Sequence, residues 1–226
     1  MDKEQIQAAI AKTMDISEKR NFRQSFDLII NIKGLDLKKP EHQIDTFINL
    51  PYPRGKRVKV CALIGPELEE QAKTVCDFVI LSDNFEKYKS KGDIKKIANS
   101  FDYFIAQANI MPKVATVFGR VFGPRGKMPN PKSGCIVQPN ANLKPLYEKL
   151  QQTIRATAKT APLIQCAIGT EEMNTNDIAE NALAVYKSLL QLLPKEKHNI
   201  KDMYIKLTMG NPVKVGEKIE LTKETK

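Results

Sequence analysis

Tryptophan is absent from this chain, histidine occurs only twice, and none of the four cysteines belongs to a C-x-x-C pair. Each shortage removes a class of chemistry. Cys61, Cys76, Cys135 and Cys166 lie 15, 59 and 31 residues apart, and His42 and His198 stand far from any pair of them. A structural zinc site needs four soft ligands, usually in two close pairs, so no metal site is expected. Cys61 and Cys166 fall within the apolar runs VKVCALI and PLIQCAI. Cysteine in such a run behaves as a small hydrophobe, and reduced thiols are expected rather than disulfides.

Catalytic and nucleotide signatures are also missing. There is no G-x-S-x-G and no H-E-x-x-H, and the scattered His and Cys offer no visible nucleophile–base pair. A phosphate loop requires G-x-x-x-x-G-K followed by Ser or Thr. Here Gly126-Lys127 is followed by Met128, and the residue five before Gly126 is Val121. No G-x-G-x-x-G follows a strand. No cofactor is therefore expected. No apolar run approaches the roughly 20 residues that cross a bilayer. Residues 1–20 read as an amphipathic helix, with Ile6, Ala9, Ile10, Thr13 and Met14 at helical spacing, and not as a secretory signal. A cytoplasmic protein with no membrane partner is expected.

What the chain does carry is positive charge. Its 226 residues hold 36 Lys and Arg against 26 Asp and Glu, a net charge of +10. That excess favours polyanionic partners. The length allows one large domain or two modest ones.

The texture changes twice along the chain. Residues 22–33 and 44–50 read as strands, and their order predicts an antiparallel pair joined by the polar stretch 34–43. PYPRGK, 51–56, reads as a linker. From 57 to 156, buried strands (RVKVCALIG, DFVILS, SFDYFIAQ) alternate with helical stretches (ELEEQAKTVC, NFEKYKSKGDIKKIAN with a break at Gly92, PKVATVFGRVF). That order implies a parallel sheet covered on both faces. Afterwards come a strand at 161–169, a strong helix from the Asn174 or Thr175 cap to Pro194, and a strand at 200–210. In the last, Met203, Ile205 and Leu207 alternate with Tyr204, Lys206 and Thr208. The fold class predicted is α/β with α+β. A split α+β domain, 1–56 with 157–226, holds an inserted α/β domain, 57–156. The charged end 218–226 is expected to fray.

No acidic residue lies between Asp102 and Glu148, a window that contains Lys113, Arg120, Arg125, Lys127, Lys132 and Lys144. At its centre is GRVFGPRGKMPNPKSG, 119–134, read as a loop in which Gly and Pro alternate with cations. Its Arg120, Arg125, Lys127 and Lys132 can neutralise phosphates. Alternatively, the loop packs on its own domain, the commoner outcome for such a segment.

FGPRGKMPNPKSG, 122–134, is similar to the signature of the large-subunit ribosomal protein L-one family, which builds the mobile side stalk of the ribosome. Other anchors follow in the family's order. They are Phe22, Ser25 and Asp27 in a strand start, Leu50, Pro51, Gly55 and Lys56 in a linker, and Thr208, Met209 and Gly210 near the end. The form of the linker and the short N-terminal region resemble the archaeal type. Leu207 stands where the family often has a threonine.

The resemblance implies two domains, the inserted one Rossmann-like, joined by a double hinge near Pro53–Gly55 and Ala158–Lys159. It implies a non-catalytic protein, monomeric when free, that binds ribosomal RNA as part of the large subunit. Further implied partners are exit-site tRNA and the protein's own mRNA, the latter through translational repression. Carried over by motif, the RNA-binding residues are Phe22, Ser25, Asp27, Gly169, Thr208, Met209 and Gly210. The chemistry is suitable, since a Thr hydroxyl and a Met-Gly turn can reach 2′-hydroxyls and phosphates.

Charge is distributed otherwise. Residues 57–156 carry 16 cations against 9 acids, the remainder 20 against 17. The expectation is therefore hydrogen-bond and shape readout on the split domain, with non-specific attraction from the insert. One alternative is an RNA-modifying enzyme whose insert binds a nucleotide or methyl donor. Its discriminating feature is the turn after the first insert strand, where IGPELEEQ places three Glu that would repel phosphate. A second alternative is a general RNA-coating protein with no specific site.

Overall fold

The computed structural model describes residues 2–88 and 90–216. The charged end 218–226 lies outside the described residues. In chain order the elements begin with α1 (Lys3–Ile16), β1 (Ser25–Ile32) and β2 (Ile44–Asn49). Next come β3 (Val60–Ile64), α2 (Glu69–Val75), β4 (Phe78–Leu81), α3 (Lys91–Ser100), β5 (Tyr103–Gln107), α4 (Met111–Phe122), β6 (Ile136–Val137) and α5 (Leu143–Gln152). The last are β7 (Thr153–Ala158), β8 (Leu163–Thr170), α6 (Thr175–Leu192), β9 (Ile200–Leu207) and β10 (Val213–Lys214). Two compact units result. One joins the residues up to Lys56 with those from Ile154 onward, and the other is Arg57–Thr153.

The first unit is built on an antiparallel sheet of order β10-β9-β1-β8. Strict alternation along β1 sends Phe26, Leu28, Ile30 and Ile32 into the core. Met203, Ile205 and Leu207 of β9 do the same. Period two allows only one buried face per strand here. Helices α1 and α6 cover that face, contributing Ile6 and Ile10 from one and Ile178, Ala182, Val185 and Leu189 from the other. α6 starts where Asn174 accepts a hydrogen bond from the Asn176 amide, the usual device for an orphan N–H at a helix start.

Strand β2 departs from the hairpin predicted with β1. It pairs with β7 in a separate two-stranded sheet, and β1 is flanked by β8 and β9. Asp45 secures the pair. It receives Arg155 Nε and Nη2 on its two oxygens, each at 2.8 Å, and Lys159 Nζ at 2.8 Å. The Arg155 guanidinium also lies 5.6 Å from the centre of the Phe47 ring. The Arg155 hydrogen bond, more than any other influence, holds the Asp45 carboxyl far below the usual carboxylate range. A depressed acid stabilises the fold above its unfolded pKa and loses that contribution as pH falls through its folded one. Acidification from pH 5 should therefore lower the native thermal midpoint more steeply than that of Asp45→Asn, which starts lower and has no such carboxyl to protonate. Parallel slopes in a calorimetric pH series would contradict this.

The second unit is a parallel sheet of order β4-β3-β5-β6. Its strands are apolar on both faces, as central parallel strands must be. Cys61, Leu63, Phe104 and Ala106 face α3 and α4, with the Phe104 and Phe122 rings 4.2 Å apart between centres. Val60, Ala62, Ile64 and Ile105 face α2 and α5. Two local expectations are corrected. Gly92 does not break a helix. It lies in the first turn of α3, where Ser90 caps the Gly92 amide, and the interruption falls before Ser90. Of the two overlapping readings of 119–122, the end of the helix PKVATVFGRVF and the start of the basic loop, the helix holds and the loop does not, since Gly119–Phe122 complete α4.

Candidate nucleic-acid interface

Antiparallel pairing brings three distant segments to one end of the first unit's sheet. β1 begins there, while β8 and β9 finish there, with Ser25 opposite Thr170 and Phe26 opposite Leu207. Ser25, Asp27 and the turn 208–210 therefore meet although they span nearly the whole chain. Thr208 closes the junction. Its hydroxyl accepts from the Ser25 amide at 3.1 Å and donates to the Ser25 carbonyl at 3.3 Å. The Gly210 amide donates to the Leu207 carbonyl at 2.9 Å, making a tight turn. Met209 projects from it, 63% exposed, and Phe22 in the segment before β1 is 49% exposed.

Two of the motif glycines have packing roles. A β-bulge between Phe26 and Asp27 shifts the β8 register, so that Gly169 lies opposite core-facing Phe26. A Cβ on Gly169 would come within 2.9 Å of Ile178 Cγ1, so this glycine admits α6 to the sheet. A Cβ on Gly210 would fall 2.4 Å from Ser17 Oγ, so a larger residue in the turn would force the Ser17 side chain at the end of α1 to move.

The face of the sheet opposite α1 and α6 is polar and partly exposed. Asp27 pairs across with Lys206, Ile29 with Tyr204 and Asn31 with Asp202. Burial raises the Asp27 pKa, opposed by the nearby Lys206 ammonium. Tyr204 and Lys206 are visible in the sequence only as the polar half of an alternating strand. Gln24 gives no sequence signal. It is 1% exposed, its Oε1 accepts from the Met209 amide at 3.2 Å, and its own amide donates to Glu171 Oε1 at 3.1 Å.

The four cations of the basic segment lie in the other unit and differ in use. Lys127 Nζ donates to the carbonyls of Ala98 and Phe101, at 2.7 and 2.6 Å, satisfying the end of α3, and burial lowers its pKa. Arg125 bonds the Asn99 side chain and, at 3.4 Å, the Lys95 carbonyl. Arg120 in the last turn of α4 and Lys132 near the tip are exposed. Lys127→Met should lower the stability of this unit by about 1–2 kcal/mol, since two carbonyls lose a charged donor, without changing RNA affinity. Urea unfolding and filter binding check the pair of expectations.

The place where a Rossmann-like sheet holds a nucleotide is the crevice between β3 and β5, where strand order reverses. Here Gln107 is fully buried, and its Oε1 takes the Gly65 amide at 2.7 Å. Its Nε2 donates to Glu67 at 3.4 Å. The amide that would meet a phosphate is occupied, and a carboxylate stands beside it. No group of three His, Cys, Asp or Glu converges on a metal-sized site among the described residues. All four cysteines are free thiols, and burial pushes that of Cys166 up to about 12. No described helix is long and apolar enough to cross a membrane.

These features define a mixed α/β protein whose first unit presents a polar, partly exposed sheet face and an exposed turn. Residues 11–211 match the ribosomal protein L1p/L10e family. The chain is 40% identical over 214 residues to large ribosomal subunit protein uL1 of Methanothermobacter thermautotrophicus, covering 94% of this chain and 99% of that protein. The protein of the same name from Methanothermococcus thermolithotrophicus is 41% identical, with 95% and 99% covered. That from Nanoarchaeum equitans is 42% identical, with 88% and 93% covered. The chain belongs to the L1p/L10e family.

Proposed function

We propose that this protein is a non-catalytic constituent of the large ribosomal subunit that binds ribosomal RNA of the mobile side stalk through the first unit. The observation carrying the proposal is the convergence of Ser25, Thr208 and exposed Met209 at one sheet end, in a member of a ribosomal family. Thr208, Ser25 and the backbone of the turn present small polar groups suited to riboses and phosphates. Met209 and Phe22 supply apolar surface for ribose or base. Asp27 can accept from a 2′-hydroxyl. Gly169 and Gly210 act by letting α6 and α1 approach the sheet.

The second unit contributes attraction with little sequence content. Its exposed cations Arg120 and Lys132 neutralise phosphates non-specifically. The same surface of the first unit takes a matching fold in the protein's own mRNA, which gives translational repression. Contact with exit-site tRNA during its release belongs to the same reading.

Binding of the full chain to a side-stalk RNA fragment and to unrelated RNA, across a salt series, tests this. The fragment should be preferred at every salt concentration. Arg120→Ala with Lys132→Ala should reduce the slope of log K against log salt by up to about 1.5 and keep the preference. Equal affinity for unrelated RNA would reject the specific site. Loss of preference in the double variant would reject the division between units.

A further inference from the structure

Gln24 lies under the candidate surface and is missing from the motif residues that define it. It sits one residue before β1 and is 1% exposed. Its side chain and backbone reach Glu18, six residues before it, and two segments 147 and 185 residues after it. Oε1 accepts from the Met209 amide at 3.2 Å. Nε2 donates to the Glu18 carbonyl at 3.4 Å, in the stretch that follows α1. The backbone amide donates to Glu171 Oε1 at 3.1 Å, and the Glu171 amide returns a bond of 3.1 Å to the Gln24 carbonyl. Glu171 follows β8 directly.

Such an arrangement has more partners than core packing needs. An apolar residue of similar length would fill the volume without the cost of burying an amide. A primary amide instead supplies an acceptor and a donor at once. Here they point at two loops that have no regular structure to hold them. The Met209 amide in particular receives its acceptor from Gln24, which ties the turn closed by the Gly210-to-Leu207 bond to the segment before β1. A side chain as exposed as Met209 has many rotamers, and binding must restrict them. Fixing its backbone beforehand reduces what is lost on association.

We propose that Gln24 is a positioning residue for RNA binding, setting the direction of Met209 from beneath the surface. The inference rests on the reading of the 208–210 turn as part of the RNA interface. Gln24 touches no RNA in this scheme. It acts through the turn.

The test is a double-mutant cycle in the full chain, with a side-stalk ribosomal RNA fragment as the probe. Gln24→Met keeps length and volume and removes both hydrogen-bonding groups. If it folds poorly, Gln24→Asn retains an amide whose oxygen is one methylene short of the Met209 amide. In the native chain Met209→Ala is expected to weaken binding. In the Gln24→Met background, which itself binds roughly tenfold more weakly, the same trimming should add little, because a misdirected Met209 has already lost its contact. A purely structural Gln24 would lower the thermal midpoint and leave the effect of Met209→Ala unchanged. Multiplying losses would overturn the inference and leave the interface intact. A Met209→Ala variant that binds as the native chain does would overturn the interface and the inference together.

Discussion

Trimming Met209 to alanine should weaken binding to a side-stalk RNA fragment by roughly 10- to 100-fold, the equivalent of fully burying one apolar side chain. The thermal midpoint should stay within about 2 °C of native. The separation of the two effects follows from exposure. At 63% exposed, Met209 contributes little to the folded chain and has most of its surface available to a partner. Fluorescence anisotropy against the fragment, beside differential scanning calorimetry, reads both. Thr208 cannot be tested by the obvious Thr208→Val, because its hydroxyl bonds the Ser25 amide and carbonyl. That variant should lose stability and affinity together. Thr208→Ser keeps the hydroxyl and isolates the methyl group.

Asn181→Leu should have the largest effect on folding. Asn181 is fully buried on α6 and has no exposed role. Its Nδ2 donates to the carbonyls of Ile168 in β8 and Tyr52 in the linker, at 2.8 and 3.1 Å, and its Oδ1 accepts from the Tyr52 amide at 3.0 Å. Leucine keeps the branching and the number of side-chain heavy atoms, so no cavity is left, and the loss combines unpaired polar groups with the crowding of its larger methyl groups. Three backbone groups lose partners, and the one at Ile168 is remote from water. A cost of about 2–4 kcal/mol follows, or about 5–10 °C in the thermal midpoint. RNA affinity per folded molecule should not change. An Asn181→Leu variant as stable as the native chain would show that water replaces the amide at all three positions.

Local periodicity made much of the fold legible. The alternation of Met203, Ile205 and Leu207 fixed the buried face of β9, and the run from the Asn174 cap to Pro194 contained α6. The two-residue β6 carries too few residues to show a period. β2 defeats local reasoning because neighbouring strands usually pair, whereas its partner β7 lies about a hundred residues away. Gly92 looks like a helix breaker, but a first-turn glycine costs little when Ser90 caps the turn.

The candidate site was legible unevenly. Motif order located Ser25, Thr208 and Met209. Sequence could not tell that Gly169 faces α6, because the bulge that turns it inward exists only in the paired sheet. It could not tell Lys127, bonded to two carbonyls, from exposed Lys132 in the same basic segment. Gln24 was invisible because two of its partners, Glu171 and Met209, belong to segments that only the fold brings to it.

The central position of β1 sets an order of events during synthesis. Its two neighbours, β8 and β9, are made more than 130 and 160 residues later. Until β9 leaves the ribosome, β1 lacks a partner on one side, and the Thr208–Gly210 turn does not yet exist. The Arg57–Thr153 unit has all its strands well before that and needs no segment from either end for its sheet. Contacts of such long separation form late. Under the proposed function, a nascent chain displays the basic unit first and gains the candidate RNA surface only once the 208–210 turn is made, so a shorter chain should hold RNA by charge alone.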